Sequence, residues 1–132
     1  MKKYLVISFA CALGAVSRYL YKAPLQLAAQ IPWNTLIINI CGAYLFAVII
    51  KAGFDCFKKH ADLRLALTAG FLGGFTTFST VCRQISEQLS GGRAALAAAY
   101  LFLSVILGLA AAFAGNFTVD YLEGRIARSK ED

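Results

Sequence analysis

Thr68-Ala-Gly-Phe-Leu-Gly-Gly-Phe-Thr-Thr-Phe-Ser-Thr-Val81 gathers the groups in this sequence best able to do chemistry. Gly70, Gly73 and Gly74 each weaken a helix by about 1 kcal/mol relative to alanine, and Thr76, Thr77, Ser79 and Thr80 follow with hydroxyls that can bond to backbone. Carbonyls released where a helix breaks can coordinate a cation. The rings of Phe75 and Phe78, three residues apart and so on roughly one face of a resumed helix, offer positively polarised edges that suit an anion. The competing reading is a Gly/Thr-rich packing face with phenylalanine as filler. A second polar set is Thr35 and Asn39, spaced i, i+4, with Gly42 three further on, all on one helical face. Asn39 lies in the apolar run Leu36-Ile-Ile-Asn-Ile-Cys41, where its carboxamide needs partners. It either ties two helices together, worth roughly 0.6–2 kcal/mol, or donates its N–H to an anion in transit. Tyr100 and Ser104 share a face with Gly108, either as pore-facing hydroxyls or as an interfacial tyrosine beside a serine bonded to its own backbone. Arg18 either snorkels to lipid headgroups or stands at the mouth of a polar cavity and attracts anions.

These groups need elements to hold them, and the composition says which kind. Hydrophobic residues make up 59% and charged residues 15% of the 132-residue chain, against ~25% charged in soluble domains. Four apolar segments recur, about 4–21, 33–50, 65–82 and 94–119, each near the ~20 residues a helix needs to cross hydrocarbon. The expectation is a single all-α membrane domain over 1–132, with four transmembrane helices and short connections, the third helix broken near its middle. A break at membrane depth survives only where protein or a water-filled cavity satisfies the freed backbone groups. Lys2-Lys3 followed by an apolar run also fits a cleaved signal, but the rest of the chain is as apolar, so the run reads as the first span. Pro24 ends that span, Gln26 to Gln30 reads as an interfacial connection, Lys51 to Arg64 as a charged loop, Gln84 to Gly92 as a turn, and Asp120 to Asp132 as a solvated tail.

The net charge is +6, and the basic residues cluster at segment ends without an aromatic-rich basic face. Anionic lipid headgroups therefore suit them better than nucleic acid. Nine of them (Lys2, Lys3, Lys51, Lys58, Lys59, Arg64, Arg125, Arg128 and Lys130) fall on one side and Lys22, Arg83 and Arg93 on the other, which favours cytoplasmic termini. The four cysteines have no C-x-x-C spacing, and His60 stands alone in a charged loop, so neither a metal centre nor a nucleophile–base pair is expected and the chain does not read as an enzyme. No carboxylate falls inside a span, unlike proton-coupled transporters.

Taken together, Gly14-Ala-Val-Ser-Arg-Tyr19, Trp33-Asn-Thr-Leu-Ile-Ile-Asn-Ile-Cys-Gly42, Gly70-Phe-Leu-Gly-Gly-Phe-Thr-Thr-Phe-Ser-Thr80 and Tyr100 with Ser104 resemble the CrcB/Fluc family of fluoride channels, in order across all four spans. The resemblance implies an antiparallel, dual-topology-type dimer in the bacterial inner membrane, with two fluoride pathways and a structural sodium ion at the dimer interface. It implies sodium at the backbone carbonyls of Gly73 and Thr76, fluoride near Asn39, Phe78, Thr35, Tyr100 and Ser104, and Arg18 at the aqueous vestibule. Passage then means exchanging water for weak donor sites, several in series so that the ion can also leave. The chain departs from the family at Val81, where a second phenylalanine is usual, and in its nine-to-three basic bias. Both departures raise the reading of a subunit that pairs with an oppositely oriented homologue and is inactive alone. Two further readings compete with a channel: a small four-helix exporter, which would need a carboxylate in its first span, and a non-transporting scaffold subunit.

Overall fold

The computed structural model describes residues 2–21, 31–56 and 61–128. The expected connection through Pro24 and Gln26 to Gln30, the stretch holding Lys58, Lys59 and His60, and the chain beyond Arg128 lie outside the described residues. Within them the protein is helical, with no strand. Four helices are apolar and long enough to cross a membrane. They are α1 (Lys2–Leu20), α2 (Trp33–Cys56), a composite third span, and α6 (Ala94–Arg128). The third span starts as α3 (Ala61–Leu65), widens into a π-helical segment (Ala66–Leu72), closes with the single turn α4 (Gly73–Phe75), breaks, and resumes as α5 (Ser79–Ser90).

The helices outrun the apolar runs that announce them, and three readings of the connections are corrected. Helix α2 continues through Lys51 to Cys56, and Ala61–Leu65 is already helical, so Lys51 to Arg64 is not one loop. Gln84 to Ser90 is helix rather than turn. The charges there stabilise it, since Arg83 and Glu87 pair one turn apart. The actual turn is a Schellman motif: Gly92 takes φ +70, its N–H reaches Leu89 O at 3.0 Å, and Arg93 N–H reaches Gln88 O at 2.9 Å. Asp120 is no tail residue either. Helix α6 runs 35 residues, about 52 Å at 1.5 Å per residue against a ~30 Å hydrocarbon core, and Asp120 pairs with Lys51 of α2.

Two close approaches set the layout. A methyl group built on Gly14 would overlap the Phe71 carbonyl oxygen, and one on Gly74 would overlap that of Cys11. The backbones of α1 and the third span therefore touch, as small residues allow in lipid, where packing rather than hydrophobicity joins helices. Helix α2 lies along α6, and the short Gly91–Arg93 link makes α5 and α6 antiparallel neighbours. Leu36, Val81 and Tyr100 form the buried centre, with Trp33, Ile40, Ile85 and Leu103 around them. Phe9, Phe102, Phe113 and Phe117 stand exposed, as lipid-facing side chains do when the solvent is hydrocarbon.

Candidate functional site

The break is built by threonine chemistry. The backbone N–H and the hydroxyl of Thr76 both donate to the Leu72 carbonyl at 2.9 Å, which saturates the last helical acceptor. Thr76 then turns extended, φ −80 and ψ 159, so its own carbonyl leaves the helical ladder. Downstream, the Thr77 hydroxyl accepts the Thr80 N–H at 3.2 Å and caps α5. It also bonds Thr80 Oγ1 at 3.0 Å.

Asn39 closes the gap. Its Nδ2 donates to the Thr77 carbonyl at 3.0 Å, and its Oδ1 accepts the Thr77 N–H at 2.9 Å. One carboxamide thus satisfies both backbone groups of Thr77, and one of its two N–H bonds remains outside that pair. The interhelical reading of Asn39 is what the geometry displays. Thr35, Asn39 and Gly42 do share a face, and all three meet the third span: Thr35 at Gln84, Asn39 at Thr77, Gly42 at the Thr76 methyl.

Arg18, half-buried at the end of α1, aims a guanidinium nitrogen at the Thr76 carbonyl, a long contact of 3.4 Å. Gly73, exposed, lies beside Thr76 in a groove of about 440 Å³ that α2 bounds through Asn39, Gly42 and Phe46 and that Phe78 borders. Phe78 is 77% exposed, whereas Phe75 is half-buried and stacks on Phe71 at 6.0 Å between centroids. The two rings do not share a face, because the break at Thr76 and Thr77 intervenes. The expectation was of a helix already resumed at these rings, and the helix resumes only at Ser79, past both of them.

A second polar knot lies two turns along α5. Gln84 Nε2 donates to Thr35 Oγ1 at 3.0 Å, and the Tyr100 hydroxyl donates to Gln84 Oε1 at 2.9 Å. Tyr100 is fully buried, packed against Leu36 and Val81. Ser104 donates to the Tyr100 carbonyl at 2.7 Å, the local backbone bond that its sequence position allowed. Between the two knots sits Val81, 4% exposed against Leu36 and Tyr100. Sequence reasoning missed Gln84 and saw in Thr77 only a hydroxyl. Gln84 could have been found from its position seven residues after Thr77, two turns along one face.

A glycine-lined discontinuity, flanked by hydroxyls and carboxamides inside four apolar helices, belongs to a small multi-pass membrane protein of the transport class. Among the described residues no cluster of His, Cys, Asp or Glu is placed to hold a metal. The chain belongs to the CrcB family: residues 5–116 match the family of CrcB-like protein, Camphor Resistance (CrcB). It is 40% identical over 126 residues to the fluoride-specific ion channel FluC of Anaeromyxobacter dehalogenans, covering 94% of this chain and 100% of the relative. It is 38% identical to that of Thermus thermophilus, covering 87% and 93%. It is 36% identical to that of Bacteroides fragilis, covering 89% and 95%. These relatives are ion channels, not enzymes.

Proposed function

We propose that the chain is a fluoride-selective channel that lowers cytoplasmic fluoride by passive efflux. The observation that carries it, beside the kinship, is the line of donors from Asn39 and Thr77 to Thr35, Gln84 and Tyr100, interrupted only by Val81. Fluoride is small and strongly hydrated, so each lost water needs a replacement donor. The remaining Asn39 N–H, the edge of Phe78 and the Thr35 hydroxyl proton supply them directly; the Tyr100 and Ser104 hydroxyls, now donating to Gln84 and to the Tyr100 carbonyl, join in by turning away from those acceptors, and none binds so firmly as to trap the ion. Gln84 orients two of these hydroxyls. Among the described residues no carboxylate sits at the centre of a span: Asp62 pairs with Lys3 and Asp120 with Lys51 near helix ends. That favours passive flow over the small exporter.

Phe78, exposed, and the open groove at Gly73 and Thr76 support pairing with a second, inverted copy or homologue. The carbonyls of Gly73 and Thr76 fit a sodium ion, since the break turns Thr76 out of the ladder and leaves Gly73 uncovered. Two carbonyls from one chain are too few for a hard cation, so both subunits would contribute. When bound, sodium supplies a fixed positive charge at the centre of the pair. Liposomes holding this chain alone test the proposal with a fluoride electrode. Rapid fluoride release without chloride release supports a homodimeric channel. No release alone, but release after co-reconstitution with a homologue, supports the hetero-pair. No release in either case leaves the scaffold reading.

A further inference from the structure

At the far end of α5 a second cavity, of about 250 Å³, opens between Arg83, Gln84, Glu87, Gln88, Arg93 and Pro32. It is separate from the groove at the break. Its volume holds on the order of eight waters at ~30 Å³ each, far beyond what a single halide fills. Two arginines and one carboxylate line it, and Glu87 is engaged by Arg83. Gln88 forms a buried wall, 5% exposed. The Schellman turn brings the second cation back toward the end of α5: the Arg93 Nε lies 3.4 Å from where a Gly91 side chain would begin. Guanidinium forks match phosphate oxygens two at a time.

The cavity's place among the helix ends suits the level of lipid headgroups. It is formed by the end of α5, the start of α6 and Pro32, next to Trp33 at the start of α2, where spans meet the interface. We propose that it binds the phosphate of an anionic lipid headgroup. Its surplus of one positive charge selects a net-negative headgroup over a zwitterionic one. The inference does not use the transport reading.

The test is native mass spectrometry of the protein in detergent with phosphatidylglycerol or phosphatidylcholine added. Phosphatidylglycerol should be retained in preference, and Arg93→Gln should weaken retention roughly tenfold, as loss of a charge-assisted pair of bonds would. Arg93→Lys, which keeps the charge and loses the fork, should fall between. Arg93 is exposed in a turn, so both variants leave the core intact. If millimolar inorganic phosphate displaces the lipid, the phosphate chemistry stands and free phosphate is a second source. Equal retention of the two lipids, or retention indifferent to both Arg93→Gln and Arg83→Gln, overturns the proposal. Because binding rather than flux is measured, that failure leaves the fluoride reading untouched.

Discussion

Asn39 holds two positions at once, as the clamp on Thr77 and as a donor beside the groove. Asn39→Ala strands a backbone N–H and a carbonyl, at about 1–3 kcal/mol for each buried group left unpaired. The expected outcome is a lower denaturation midpoint together with loss of most fluoride efflux. Near wild-type efflux from a stable Asn39→Ala protein would remove Asn39 from the pathway. Val81 poses the opposite question. Where it faced was open in the sequence, and a larger ring there would have helped if the valine lined an empty pore. Instead it fills space against Leu36 and Tyr100. Val81→Phe should overpack that centre by about 1–3 kcal/mol and leave efflux per reconstituted dimer level or lower. Faster efflux would mean that the ring finds room in the pathway.

At the scale of elements, the third span depends on α1 lying against its backbone. Gly74→Ala puts a methyl group into the Cys11 carbonyl, in the middle of the single turn α4 that ends in the break. It should destabilise the protein by about 1–3 kcal/mol and reduce efflux by shifting Thr76. Gly124→Ala is the control, because nothing lies within 4 Å of the added carbon. It should hold or raise the midpoint, since alanine favours helix by up to about 1 kcal/mol. Equal effects from the two, read from denaturation midpoints, would contradict this account of α1 docking. The spans and the break were legible because apolar length and glycine–threonine clustering are local signals. The helical continuation through Gln84 and Glu87 was not. Charge ended the third apolar run at Arg83 although helix formation did not end there, and the Arg83–Glu87 pair one turn apart was the available sign. The bond from Gln84 to Thr35 joins residues 49 positions apart, which no periodicity reveals.

For the whole molecule, the pairing and the ion at its centre are best tested together. Replacing sodium with a large organic cation should lower dimer stability or efflux, because the carbonyls of Gly73 and Thr76 lose a partner. Unchanged dimerisation and unchanged efflux after thorough removal count against a structural cation. The long contact from Arg18 to the Thr76 carbonyl adds a condition to that experiment. A tethered guanidinium is a resident rival for an oxygen that a mobile ion also seeks. Apparent ion affinity is the intrinsic affinity scaled by the fraction of molecules in which the rival has let go. The like charge nearby acts in the same direction. Arg18→Gln should therefore saturate at lower sodium concentration than the wild type, in a titration of dimer stability, even if the vestibule then gathers anions less well. A right-shifted titration would mean that Arg18 assists the ion rather than displacing it. If sodium binds there, the rival makes the site self-buffered: as the ion leaves, the Arg18 side chain is placed to take over the exposed oxygen before the break is left bare.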